Sequence, residues 1–141
     1  MISSVLLTTS PPGLYRMACG PGVLQARVER SHWRWYHANG AGVADREAFF
    51  ACLATALAFP DYFGANWDAM LDCLRDLSDD AVPGVALYMT GFAAFVASHP
   101  SDWTTAQDVF TQAVSDLATS GTALYVLIAG PAGRGLTALL P

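Results

Sequence analysis

Two stretches without a charged residue, Gly84 to Thr90 and Thr122 to Ala129, flank a segment whose apolar residues recur at helical spacing. A strand with one wet face alternates apolar and polar residues. These two do not alternate, so both of their faces must be covered, as in a parallel sheet under helices. Between them, Asp102 to Thr119 carries Trp103, Ala106, Phe110, Ala113, Val114 and Leu117 on one side of a predicted helix. Ser101 is its expected cap and Gly121 its stop. Strands joined through a helix pair in parallel, because the chain must cross back over the sheet. The fold class expected is α/β, with a small, mainly parallel sheet of three to four strands packed with helices.

The rest of the chain supplies the remaining layers. Gly13 to Met17 reads as a strand after the Pro11-Pro12-Gly13 turn, and Pro21 opens a helix from Gly22 to Ser31. Trp33 to His37 is a strand, followed by a turn at Asn39-Gly40 and Gly42. Asp45 caps a helix from Arg46 to Ala58, with Phe49, Phe50, Leu53 and Leu57 on its inner side. Pro60 stops it, and Asp61 to Ala65 form a loop. Asn66 caps the next helix, which is expected to reach about Leu77. Gly91 to Ser98 is a short helix or turn, and residues 130–141 are an irregular or lightly docked tail. With 141 residues and no repeat or linker, the chain reads as one domain that needs neither disulfide nor metal to hold a core. Residues 1–32 are a strand-helix extension, 33–129 the core and 130–141 the tail.

Composition narrows the function classes. The formal net charge is -5 and the isoelectric point about 4.8, which disfavours direct binding to phosphate backbones and suits a basic protein partner. Ala81 to Ser101 lacks any charge, but Pro83-Gly84, Gly91 and His99-Pro100 interrupt it, so a buried strand and a short helix fit better than a membrane span. Cys19, Cys52 and Cys73 form no C-x-x-C pair. Reduced thiols and a cytoplasmic location are the simplest expectation. The start, Met1 to Leu7, has no basic region and does not read as a signal peptide.

The helix after Asn66 carries the functional argument. Stepping 100° per residue gathers Trp67, Met70, Leu71, Leu74 and Leu77 on one side, and Asp68, Asp72, Arg75, Asp76 and Asp79 on the other. Asp68 and Asp72 lie four apart, so their carboxylates project from neighbouring turns and repel weakly. Asp68 is favoured by the positive end of the helix. Charge alone would also fit an ordinary solvated face.

The wider segment is more specific. Phe59-Pro60-Asp61-Tyr62-Phe63-Gly64-Ala65-Asn66-Trp67-Asp68-Ala69-Met70-Leu71-Asp72-Cys73-Leu74 resembles the signature of the barstar family, without a gap. The order of elements fits as well, over roughly residues 33 to 129. The resemblance implies an inhibitor of small basic ribonucleases, whose loop and helix plug the nuclease cleft. By that likeness Tyr62 and Gly64 shape the loop and Asn66 caps and positions the helix. Asp68 and Asp72 are the acidic contacts, Asp72 entering where substrate phosphate sits. Trp67, Leu71 and Asp76 complete the expected partner-binding surface, with Leu71 where the family has a tryptophan. A further acidic contact of the family's last helix falls on Gln112 or Asp116. The partner implied is a basic ribonuclease or toxin nuclease, bound one-to-one by a protein that is monomeric when free, with no cofactor and no metal.

Catalysis by the chain itself is not expected. Asp68 and Asp72 could serve as paired acids, and His32, His37 or His99 as a base, but no set forms a nucleophile or metal motif. Gly130-Pro131-Ala132-Gly133-Arg134-Gly135 lacks the ending of a phosphate loop. Cys73 points to the side of its helix and reads as a packed thiol. The rival reading is an interaction or toxin-immunity module of the same fold with a non-ribonuclease partner.

Overall fold

The structure is a computed structural model that describes residues 10–17, 20–61 and 63–139. In chain order it runs β1 (Gly13–Met17), α1 (Gly22–Arg30), β2 (Arg34–Asn39), α2 (Arg46–Leu57), α3 (Trp67–Arg75), β3 (Gly84–Thr90), α4 (Ala93–Ser98), α5 (Pro100–Thr119) and β4 (Ala123–Ala129). A 3-10 turn, Gly130–Gly133, and a two-residue strand β5 (Ala138–Leu139) follow. The strands lie in the order β2-β3-β4-β1-β5, and every neighbouring pair is parallel.

The two uncharged runs are the centre of this sheet. β3 is buried from Gly84 to Met89 and β4 from Leu124 to Ile128. Leu87 sits beside Val126 in register, and Tyr15 of β1 beside Leu127. Alternate residues then separate into two cores, because successive strand side chains point to opposite faces. Val85, Leu87, Met89, Leu124, Val126 and Ile128 meet α2, α3 and α5 through Phe49, Leu53, Met70, Leu74, Phe110 and Leu117. On the other face Ala86, Tyr88, Tyr125 and Leu127 join Tyr15 and Met17 under Leu24 and Val28 of α1. Tyr125 Oη donates to the Ser10 carbonyl at 2.6 Å and Tyr15 Oη to that of Pro11, which fixes the chain where it enters β1.

Several element ends differ from the sequence reading by one or two residues, and four differences bear on the fold. β2 continues two residues past His37 to Asn39, and Gly40 N donates to Thr90 O at 2.7 Å, prolonging the ladder. α5 begins at Pro100 rather than being capped by Ser101. Proline at the first helical position has no N–H to leave unpaired and its φ is already helical. α3 ends at Arg75, two residues early, although Leu77 beyond it is still buried. Residues 130–139 are more ordered than a loose end: Arg16 N donates to Thr137 O at 2.9 Å, and Ala138 and Leu139 pair with Arg16 and Met17. No helix among the described residues is long and apolar enough to cross a membrane.

Candidate protein-binding face on helix α3

The loop that delivers α3 is shaped by backbone turns and aromatic packing. α2 ends on Ala58 in the left-handed region, with its N–H on Ala54 O. Phe63 N donates to Pro60 O at 2.9 Å. Phe63 is half-buried, its ring 5.1 Å from Phe59 and 6.0 Å from Phe50. Ala65 takes a positive φ of 50°, a conformation that costs a residue with a Cβ. Asn66 follows in extended geometry, and its Oδ1 accepts the Ala69 amide at 2.8 Å, satisfying one of the helix's orphan donors. Its Nδ2 reaches Gly64 O at 3.4 Å. A Cβ on Gly64 would lie 3.2 Å from that same nitrogen, so glycine leaves room for the capping amide.

From that cap the helix divides as its spacing requires. Met70 and Leu74 are fully buried, and Cys73 is buried beside them. The Trp67 ring turns inward, 4.7 Å from Phe50 and 6.0 Å from Phe49. Trp67 and Leu71 are half-buried against the core and keep part of their surface in solvent. Gly64, Asn66, Asp68, Asp72 and Asp76 are exposed. Asp72 is the most open of the ion-paired carboxylates, with 72% of its side chain accessible. Tyr62 lies outside the described residues.

Asp79 does not belong to this face, contrary to the helical stepping. The helix has already ended, and Asp79 turns away to pair with Arg34 at 2.8 Å and to accept the Ala81 amide at 2.9 Å. Arg75 lies on the charged side as the stepping places it, but its partner on α5 went unread. Its Nε donates to Asp116 Oδ2 of α5 at 2.7 Å, and its Nη1 to Asp72 Oδ1 at 3.3 Å. Gln112 Nε2 donates to the other Asp116 oxygen at 2.9 Å. The hydrogen bonds from Arg75 and Gln112 hold the Asp116 carboxyl below the usual carboxylate range. Gln112 and Asp116, alternatives in the sequence, thus stand together beside α3. Forty-one residues separate Arg75 from Asp116, and no local pattern announces a pairing at that distance.

His37 and the two described thiols have structural surroundings. His37 Nε2 is 2.8 Å from Thr90 Oγ1. The Cys52 thiol donates to Asn39 O at 3.3 Å, and burial pushes its pKa up. Burial also raises that of Cys73, helped by Asp76 and Asp72. Thiols so placed stay protonated and are poor nucleophiles. Among the described residues, no three His, Cys, Asp or Glu side chains converge as metal ligands. The short, firmly capped helix presents exposed carboxylates to one side, a surface suited to answering cations.

A comparison with curated proteins finds no match. Residues 33–129 match the family model described as Barstar (barnase inhibitor). That span takes in β2 through β4 and all of α3, and the chain therefore belongs to the barstar family.

Proposed function

We propose that this protein inhibits a small basic ribonuclease of the secreted type, by seating the loop before Asn66 and the acidic side of α3 in its cleft. The observation that carries this reading is Asp72: an exposed carboxylate on a helix held by its cap and by Met70 and Leu74 beneath it. A ribonuclease must gather Arg, Lys or His around the phosphate it cleaves. A fixed carboxylate answers the same donors and offers no bond to break. Asp68 adds a second charge one turn away, where the helix N-terminus favours it. Gly64 and Asn66 set the approach, and Trp67, Leu71 and Asp76 border the contact. Tyr62 belongs to the same loop by sequence.

The protein acts as a monomer in a reducing cytoplasm and forms a one-to-one complex. Its part is occlusion, with no catalytic step of its own. The test is steady-state inhibition of a barnase-type ribonuclease at several RNA concentrations. Inhibition that RNA relieves competitively, with a one-to-one end point, supports the reading. A complex that leaves the cleft open to RNA would favour an interaction or immunity module acting through another surface.

A further inference from the structure

The acidic face contains one cation, and its geometry divides the carboxylates into two kinds. Asp116 has both oxygens engaged, by Arg75 Nε at 2.7 Å and Gln112 Nε2 at 2.9 Å, and its side chain is 28% accessible. Asp72 has one long contact at 3.3 Å and is mostly open. A cation arriving at Asp72 loses little, because the existing bond there is weak and wet. A cation arriving at Asp116 must share oxygens that already hold two good hydrogen bonds, and meets the guanidinium at 2.7 Å rather than the 3.3 Å at Asp72.

Arg75 is suited to this by chemistry as well as position. Its planar fork can hold two carboxylates at once, which a lysine ammonium does with less geometric definition. It also lies in the last turn of α3, where the negative end of the helix favours a cation. The pairing therefore costs little to keep and ties α3 to α5.

We propose that Arg75 is a specificity-determining residue of this face: it withdraws Asp116 from contact and concentrates cation recognition on Asp72. The inference rests on the inhibitor reading. It narrows the partner to a surface whose cations converge on one point, and disfavours a broad polycation laid across α3 and α5. Opposite Arg75 itself, such a partner fits best with a carboxylate or carbonyl acceptor, since the guanidinium has five N–H donors and the two carboxylates take two of them.

An octalysine peptide, a broad polycation with no nuclease cleft, tests the division directly. Carboxyl carbon resonances of Asp72 and Asp116 are followed by NMR as the peptide is added at low ionic strength. In the wild-type chain Asp72 is expected to shift and Asp116 to stay silent. In Arg75→Gln both should shift, and peptide affinity should rise about fivefold, the factor for removing one unit charge about 4 Å away in bulk-water dielectric. Equal shifts of Asp72 and Asp116 in the wild type would overturn the proposal, as would a folded Arg75→Gln that leaves shifts and affinity unchanged. The wild-type arm stands even if Arg75→Gln fails to fold. Arg75→Lys then replaces it, with partial exposure of Asp116 expected and a still-silent Asp116 contradicting the role of the fork. Failure of every ribonuclease to bind would count against the inhibitor reading alone, because no nuclease enters this experiment.

Discussion

Asn66 Oδ1 accepts the Ala69 amide at 2.8 Å, so one side chain both ends the loop and begins the helix that presents Asp68 and Asp72. Asn66→Ala should cost about 1 kcal/mol of stability. Asn66→Asp, also a good cap, should retain most of it. The urea midpoint at constant m-value reads the loss. Any binding through α3 should weaken in the alanine variant and survive in the aspartate one.

Phe49 joins the site's support to the core. It is fully buried, stacked on Phe95 at 4.9 Å, and it also meets Phe50, Trp67, Phe92 and Trp103. Phe49→Ala should destabilise by about 3–5 kcal/mol, through lost burial and the cavity left behind. Trp67 would lose one of its two inner aromatic neighbours, so its fluorescence should change even where the variant remains folded.

Gly40 follows β2 and packs against Phe92, the residue that precedes α4. A Cβ there would fall 2.6 Å from the ring of Phe92, which is itself 1% exposed. Either the buried ring or the backbone must shift, so Gly40→Ala should cost about 1–3 kcal/mol by overpacking. Thermal denaturation checks this, with Gly42→Ala as a comparison. Gly42 has a φ of +85° but open space around it, so backbone strain alone would be read there.

Stability should respond to pH at both ends. Asp116 is held below its ordinary range when folded, so its contribution is present above the unfolded-state value and is lost as pH falls through the folded one. Asp116→Asn should flatten that acid limb. Tyr125 is pushed up to about 12 by burial and by Tyr15. Its contribution is complete below the unfolded value of about 10 and is lost as pH rises from there toward 12, as the unfolded chain ionises first. Tyr125→Phe should remove this alkaline slope while giving up the bond to Ser10 O. Chemical denaturation across both pH ranges separates the two effects.

Much of this architecture is legible in the sequence because local physics decides it. Uncharged runs require a covered parallel sheet, and Gly84 to Met89 is buried throughout. Asn66 and Asp45 cap helices because their side chains reach the amide three residues on. Phe49, Phe50, Leu53 and Leu57 line one side by helical spacing, and all four are buried. The unread features depend on distant partners. β5 is two residues long and carries no period to detect; it exists because Arg16 and Met17 offer an open edge. The link from Arg75 to Asp116 arises only when α5 lies beside α3. Asp79 shows the converse error, a residue placed on the face by extrapolating helical periodicity beyond the helix's end.

The most direct measurement is the inhibition constant against a barnase-type ribonuclease for the wild type, Asp72→Ala and Glu29→Gln. Glu29 lies on α1, which packs on the opposite side of the sheet, and its substitution removes one negative charge as well. Removing a desolvated interfacial charge costs about 2–5 kcal/mol, a range taken from charge pairs in protein complexes that include this family's own. Inhibition by the wild type and Glu29→Gln, with a loss of that size confined to Asp72→Ala, is the expected result. An Asp72→Ala chain that inhibits as well as the wild type would contradict the central role given to α3.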